Sequence, residues 1–269
     1  MQFQKMRKTH TLLAGSVALL LAIMLSAGGA GAESTADDTH TRSGNRQFEH
    51  TASPGKDAET VVILHGLGRS SSAMWMLAKR LEVAGYRTER FGYRSLKQTP
   101  DQIVANLSAQ LARCCAAPER KVHFVGHSLG GLIARAFLAR HQVPNLGRVV
   151  LLGTPSKGSS LADAFKDKWW FDLLGPTVQQ LGTTNGGLAS SLPPPDYPVG
   201  VIAGVRDGRE NEDILPGQDD GLVTVSSTKF PGMTDFVVVP AGHSTMRYSK
   251  PVAAQVVNFL KTGKFKKAQ

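Results

Sequence analysis

Val122-His123-Phe124-Val125-Gly126-His127-Ser128-Leu129-Gly130-Gly131 is the stretch on which the reading of this chain turns. Val122 to Val125 is a short apolar run of strand type, and Leu129 to His141 has the apolar spacing of a helix. Between them lies Gly126-His127-Ser128-Leu129-Gly130, a match to G-x-S-x-G. Five residues of that kind arise by chance; their place, ending a buried strand and opening a helix, makes them specific. The chain must turn sharply there, so Ser128 is expected in a strained backbone conformation. Side chains two positions away would collide with the turn. Gly126 and Gly130 have none, and Gly131 lets the helix pack close. The serine oxygen then stands at a helix N-terminus, where backbone N–H groups favour developing negative charge.

Outward from this point, short apolar runs alternate with amphipathic segments. Val61-Val62-Ile63-Leu64 reads as a buried strand ending at His65-Gly66. Met74, Leu77, Ala78 and Leu81 recur at helical spacing, and Gly85 closes that helix. Tyr86 to Tyr93 is a weaker strand. Pro100-Asp101 opens a helix with Ile103, Val104, Leu107 and Leu111 on one face. Later strands are expected at Val149–Leu152, Val199–Ala203 and Phe236–Val239, and a closing helix carries Val252, Val256 and Phe259. Six strands separated by helices predict an α/β fold, a mainly parallel sheet covered on both faces. Residues 156–198 exceed a usual crossover and form an insertion, a candidate small lid, before the strand that precedes the acid.

Four further segments extend the comparison. His65-Gly66-Leu67-Gly68, Leu152-Gly153-Thr154-Pro155, Asp220-Gly221-Leu222-Val223 and Gly242-His243 occur in that order around the Ser128 turn. Together with Val125–Gly131 they resemble the oxyanion loop, post-elbow step, acid segment, base loop and nucleophile elbow of α/β-hydrolase lipases and esterases of bacterial type. The likeness spans about residues 60–262. It implies the α/β-hydrolase fold and serine hydrolase chemistry, and names no substrate.

A serine hydroxyl needs a base to take its proton and an acid to orient that base. In this fold their order is Ser, acid, His. His243 is the base candidate, because no other histidine follows His141. His127 and His65 are read as supporting residues. The acid candidates are Asp207, Asp219 and Asp220, all of which follow the Val199–Ala203 strand. Asp220 is favoured by its lipase-like Gly221-Leu222-Val223 context, and Asp207 fits another pattern common in the superfamily. The oxyanion donors implied are the backbone N–H groups of Leu129 and Leu67; the loop is H-G-L-G rather than HGGG.

The expected activity is cleavage of carboxylic esters, as an esterase or lipase, through a covalent acyl-enzyme. An acyltransferase would use the same triad, and a non-catalytic binding protein would use the fold without it. Trp75, Trp169, Trp170 and Phe171 are candidates for a substrate pocket or for ordinary packing. Some bacterial lipases bind calcium through an Asp after the catalytic His; here Ser244, Thr245 and Met246 follow. No Cys/His cluster has zinc spacing. Neither metal nor cofactor is expected. The partner expected is a small-molecule or lipid ester, and the chain is expected to be monomeric.

Composition bounds these readings. At 41% hydrophobic and 19% charged residues, 269 residues suit one globular domain. Lys5, Arg7 and Lys8, the apolar run Val17–Leu25 and Ala30-Gly31-Ala32 read as a signal peptide cleaved after Ala32. The chain is therefore expected to be exported, periplasmic or secreted; an uncleaved segment would instead anchor it to a membrane. Residues 33–58 read as a flexible leader, 59–264 as the hydrolase domain and 265–269 as a basic tail. Without Lys5, Arg7 and Lys8, 28 basic residues face 21 acidic ones, a formal +7. Basic residues are not interleaved with aromatics, so no nucleic-acid partner is expected. Cys114 and Cys115 are adjacent and could bridge only through a strained ring, so they are read as two small semi-buried side chains at a helix end.

Overall fold

The computed structural model describes residues 55, 57–184, 186–206 and 213–267. The expected signal peptide, nearly all of the leader and Asp207 lie outside the described residues.

Six strands form one parallel sheet: β1 Thr60–Leu64, β2 Arg87–Phe91, β3 Val122–His127, β4 Leu146–Leu152, β5 Val199–Val205 and β6 Asp235–Pro240. Their order is β2-β1-β3-β4-β5-β6, the sheet expected from the alternating apolar runs. Interleaved with them are α1 Trp75–Val83, α2 Pro100–Cys114, α3 Leu129–Leu138, α4 Ser160–Phe165, α5 Val225–Thr228 and α6 Lys250–Thr262. Strand alternation explains the two-sided core. On β1, Val62 and Leu64 join Ile103 and Leu107 of α2 and Leu132 of α3 on one face. Val61 and Ile63 join Leu77 and Leu81 of α1 and Val256 and Phe259 of α6 on the other.

Local chemistry sets the helix ends. Thr99 accepts the Gln102 N–H, Gln102 returns a bond to the Thr99 N–H, and Pro100 follows the cap, so α2 starts with a complete capping box. Ser249 caps α6, and Gly263 ends it at φ 75°. The edge strand β2 is shorter than expected. Its sequence, Arg-Thr-Glu-Arg-Phe, places charged side chains outward, as suits a sheet edge. The elbow helix ends at Leu138, three residues before the expected His141.

Two further sequence expectations change. Cys114 and Cys115 are partly buried at the end of α2, but they are joined to each other by a disulfide rather than standing as separate thiols. The backbone leaves helical geometry at Cys115 (φ −133°, ψ 23°), which turns the two side chains together. Phe265, expected to open the basic tail, is instead packed against the domain. Phe265 is buried against Phe259 at 4.9 Å between ring centres, its N–H donates to Asp235, and Lys266 pairs through its backbone with Gln255. A charged neighbourhood concealed one apolar anchor.

The insertion is largely packed. Phe171, Val178, Leu181 and Leu188 are buried in the face that also holds α2 and α3. Trp169 and Leu173 project outward, 82% and 75% exposed. The fold makes a direct claim about the chain's end. Phe265→Ala should lower unfolding free energy by about 3–5 kcal/mol in urea titration; a loss below about 1 kcal/mol would show that the domain ends before it.

Candidate active site

Parallel register brings the strand ends to one edge. Leu64 pairs with Gly126, and His127 with Leu152, so the loops after β1, β3 and β4 emerge side by side. In open α/β sheets this carboxyl edge is where ligands bind.

Ser128 stands at the centre. Its backbone lies at φ 55°, ψ −124°, and it is the only non-glycine residue with positive φ among those described. Such a conformation costs of order 1–3 kcal/mol and persists only where surroundings enforce it. The surroundings are visible. The Ser128 N–H donates to the Leu152 carbonyl at 2.8 Å, and its carbonyl accepts from Gly131 at 3.0 Å. A Cβ on Gly126 would lie 2.5 Å from the Gly131 backbone, and one on Gly130 would lie 2.5 Å from the Leu64 carbonyl. A Cβ on Gly131 would strike the Thr154 side chain. These contacts give the physical reason for glycine at all three positions.

The loop Gly242-His243 follows β6 and returns over this edge. His243 Nδ1 lies 2.8 Å from Asp220 Oδ2, with both residues buried. A carboxylate only accepts, so Nδ1 carries the proton and Nε2 keeps its lone pair free to act as a base. Asp220 is itself held. Its Oδ1 accepts from the N–H groups of Val223 at 2.8 Å and Leu222 at 3.0 Å, and its backbone carbonyl accepts from His243 at 2.8 Å. The neighbouring Asp219 instead accepts from Gly221 and caps this turn.

Two buried histidines flank the pair. His127 donates from Nε2 to the His243 carbonyl at 2.9 Å, and the two rings lie 4.8 Å apart. Burial is the main cause holding His127 well below the usual histidine range, with the His243, Arg247 and Arg69 charges adding to it. A neutral His127 spares His243 a competing cation. His65 is likewise lowered, to about 4, chiefly by burial.

Sequence reasoning missed four contributors. Gly153 (φ 53°) lies under the pair: a Cβ there would sit 2.9 Å from Asp220 Oδ2 and 3.2 Å from His243 Nδ1. Met246 packs at the same point, its sulfur 3.1 Å from that Cβ position. Tyr93 and Ser95 reach the His65–Gly68 loop from the end of β2. Gly153 already stood within the quoted Leu152-Gly153-Thr154-Pro155. Tyr93 and Ser95 become legible once β2 is known to flank β1.

Of the candidate pocket residues, Phe171 belongs to the core, and Trp170 is half-buried against Phe165 at 5.6 Å between ring centres. Trp75 and Trp169 are exposed, so neither is a core residue. Leu129 is buried and Leu67 half-buried. Among the described residues no group of three or more His, Cys, Asp and Glu side chains could hold a metal ion.

Known proteins resemble this chain in sequence or fold. The family model of palmitoyl protein thioesterase matches residues 60–185. Among solved structures, a lipase of Bacillus licheniformis in its mature form superposes with a TM-score of 0.63 at 25% identity, covering 80% of this chain and 94% of that one. A lipase-esterase related protein of Clostridium acetobutylicum gives 0.52 at 20% identity, covering 78% and 96%. A phospholipase of Legionella pneumophila gives 0.58 at 15% identity, covering 77% and 60%. The search of curated proteins finds no match.

The lowered histidines make a pH claim. His65 and His127 are neutral in the fold but take up protons near pH 6.5 when unfolded. Their neutral burial favours the fold fully above that pH and loses this advantage as pH falls toward 4. The urea midpoint should therefore drop steadily from pH 7 to pH 4, His65 alone contributing about 3 kcal/mol. A flat midpoint across that range would contradict the assignment.

Proposed function

We infer that this chain, a member of the α/β-hydrolase superfamily, is an exported serine hydrolase that cleaves carboxylic esters through Ser128, His243 and Asp220. The observation that carries the reading is the strained Ser128 turn at a helix N-terminus, on the same sheet edge as the His243–Asp220 pair.

His243 Nε2 takes the proton of Ser128 as its Oγ attacks the ester carbonyl. Asp220 stabilises the imidazolium that forms. The N–H groups of Leu129 and Leu67 hold the developing oxyanion. His243 then gives its proton to the departing alcohol, leaving an acyl group on Ser128. In the second half, His243 takes a proton from water, the hydroxide oxygen attacks the acyl carbon, and Ser128 leaves with the returned proton. Trp75, Trp169 and Trp170 are the candidates for contact with the acyl chain, the first two because they are exposed. Residues 1–32 serve as the cleaved export signal.

The thioesterase family match favours a second reading, in which the acyl group leaves a thiol instead of an alcohol. Thiols are more acidic leaving groups and depend less on proton donation from His243.

One panel separates these readings. Alkyl esters and matched alkyl thioesters, each with acyl chains from acetyl to palmitoyl, should show faster turnover of the esters. Ser128→Ala should lower turnover by at least about 10⁴-fold. Faster turnover of long-chain thioesters would transfer the reading to the thioesterase. Turnover of neither by the folded wild-type protein would overturn both.

A further inference from the structure

The oxyanion loop His65-Gly66-Leu67-Gly68 is held by side chains that the reaction does not use. The His65 Nδ1 lies 2.9 Å from the Gly66 carbonyl oxygen. A carbonyl only accepts, so Nδ1 carries the hydrogen. Nε2 is then a lone pair, and it accepts the backbone N–H of Tyr93 at 3.4 Å. The Tyr93 ring stacks on His65 at 4.0 Å between centres and 12° between planes. Its hydroxyl donates to the His65 carbonyl, and the Ser95 hydroxyl accepts the Gly68 N–H at 2.9 Å. Both rings are buried, with His65 fully enclosed.

The Gly66 carbonyl and the Leu67 N–H belong to one peptide unit. In a planar trans peptide these two groups point in opposite directions. Whatever holds the carbonyl on one side therefore aims the N–H to the other. We propose that His65, backed by Tyr93, is a positioning residue that aims the Leu67 N–H at the oxyanion by holding the Gly66 carbonyl. The proposal rests on the hydrolase reading above and assigns the loop's orientation to this clamp.

Neighbouring geometry supports it. A Cβ on Gly66 would lie 3.2 Å from the Ser128 Cβ, so the loop runs against the nucleophile. Gly130 allows the first turn of α3 to approach the Leu64 and His65 carbonyls. The loop that bears one donor thus packs directly on the helix start that bears the other. Rotation of the Gly66–Leu67 peptide would turn a carbonyl toward the oxyanion, replacing attraction with repulsion. The neutral state of His65, favoured by its burial, keeps Nε2 free to accept from Tyr93.

The test uses the full exported chain with a short-chain ester as substrate and an alkyl trifluoromethyl ketone as inhibitor. The ketone forms a tetrahedral oxyanion on the nucleophile and so reports the donors directly. His65→Leu removes the Nδ1–H donor, His65→Asn keeps an N–H at that position, and Tyr93→Phe removes only the hydroxyl. His65→Leu should lower kcat by about 10²-fold with KM within about threefold, the scale of losing one oxyanion donor. The inhibition constant should rise in proportion, and His65→Asn should recover most of both. Tyr93→Phe should lower kcat about tenfold and weaken the inhibitor equally. If His65→Leu fails to fold, Tyr93→Phe decides. Folded variants with wild-type kcat and inhibitor affinity would overturn the clamp. So would a loss that His65→Asn does not relieve. A wild-type protein that neither turns over the ester nor binds the ketone would instead overturn the hydrolase reading.

Discussion

A serine in a left-handed backbone conformation is the constraint around which the edge of this sheet is built. Ser128 at φ 55° is costly on its own, by about 1–3 kcal/mol. The cost is met by packing that leaves no alternative path from β3 into α3. Gly126 and Gly131 touch where any Cβ would intrude, and Gly130 lies against the end of β1. The bond from the Ser128 N–H to the Leu152 carbonyl ties the turn to β4. Glycine at these sites is therefore a steric requirement, and the same contacts draw the His65–Gly68 loop and the Thr154 step around Ser128.

Protonation states follow from burial in the same small volume. Asp220 sits where two backbone N–H groups meet its Oδ1 and the His243 Nδ1–H meets its Oδ2. Every lone-pair direction used by this carboxylate thus favours one orientation of the imidazole. His127 and His65, both enclosed, remain neutral and serve as hydrogen-bond connectors between loops. Three histidines at one sheet edge would repel one another if all were charged. Desolvation keeps two of them, His65 and His127, neutral.

Much of this was legible in the chain because its signals are local. Buried strands such as Val61–Leu64 are continuous apolar runs, and the elbow is fixed by sterics within five residues. The ordering rule for acid and base singled out His243, and context pointed to Asp220, which the fold brings against it. What escaped the sequence depends on contacts across distance. The Arg-Thr-Glu-Arg-Phe edge strand lacks an apolar run, so its length and the roles of Tyr93 and Ser95 just beyond it were hidden. Gly153 gains its meaning only when β4 is set beneath the His243 loop. Phe265 is one apolar residue among lysines, and its burial is created by Phe259 and Asp235. The aromatic run Trp169-Trp170-Phe171 split into an exposed, a half-buried and a core residue, because short turns rather than a regular helix carry it.

The central claim is that the strained serine is the nucleophile. Its most direct test is covalent: the intact protein is treated with a fluorophosphonate, digested, and mapped by peptide mass spectrometry. The account predicts one adduct per chain, on Ser128, and none after unfolding in urea removes the turn and its base. A folded, homogeneous protein that carries no adduct, or carries it at another residue, would contradict it.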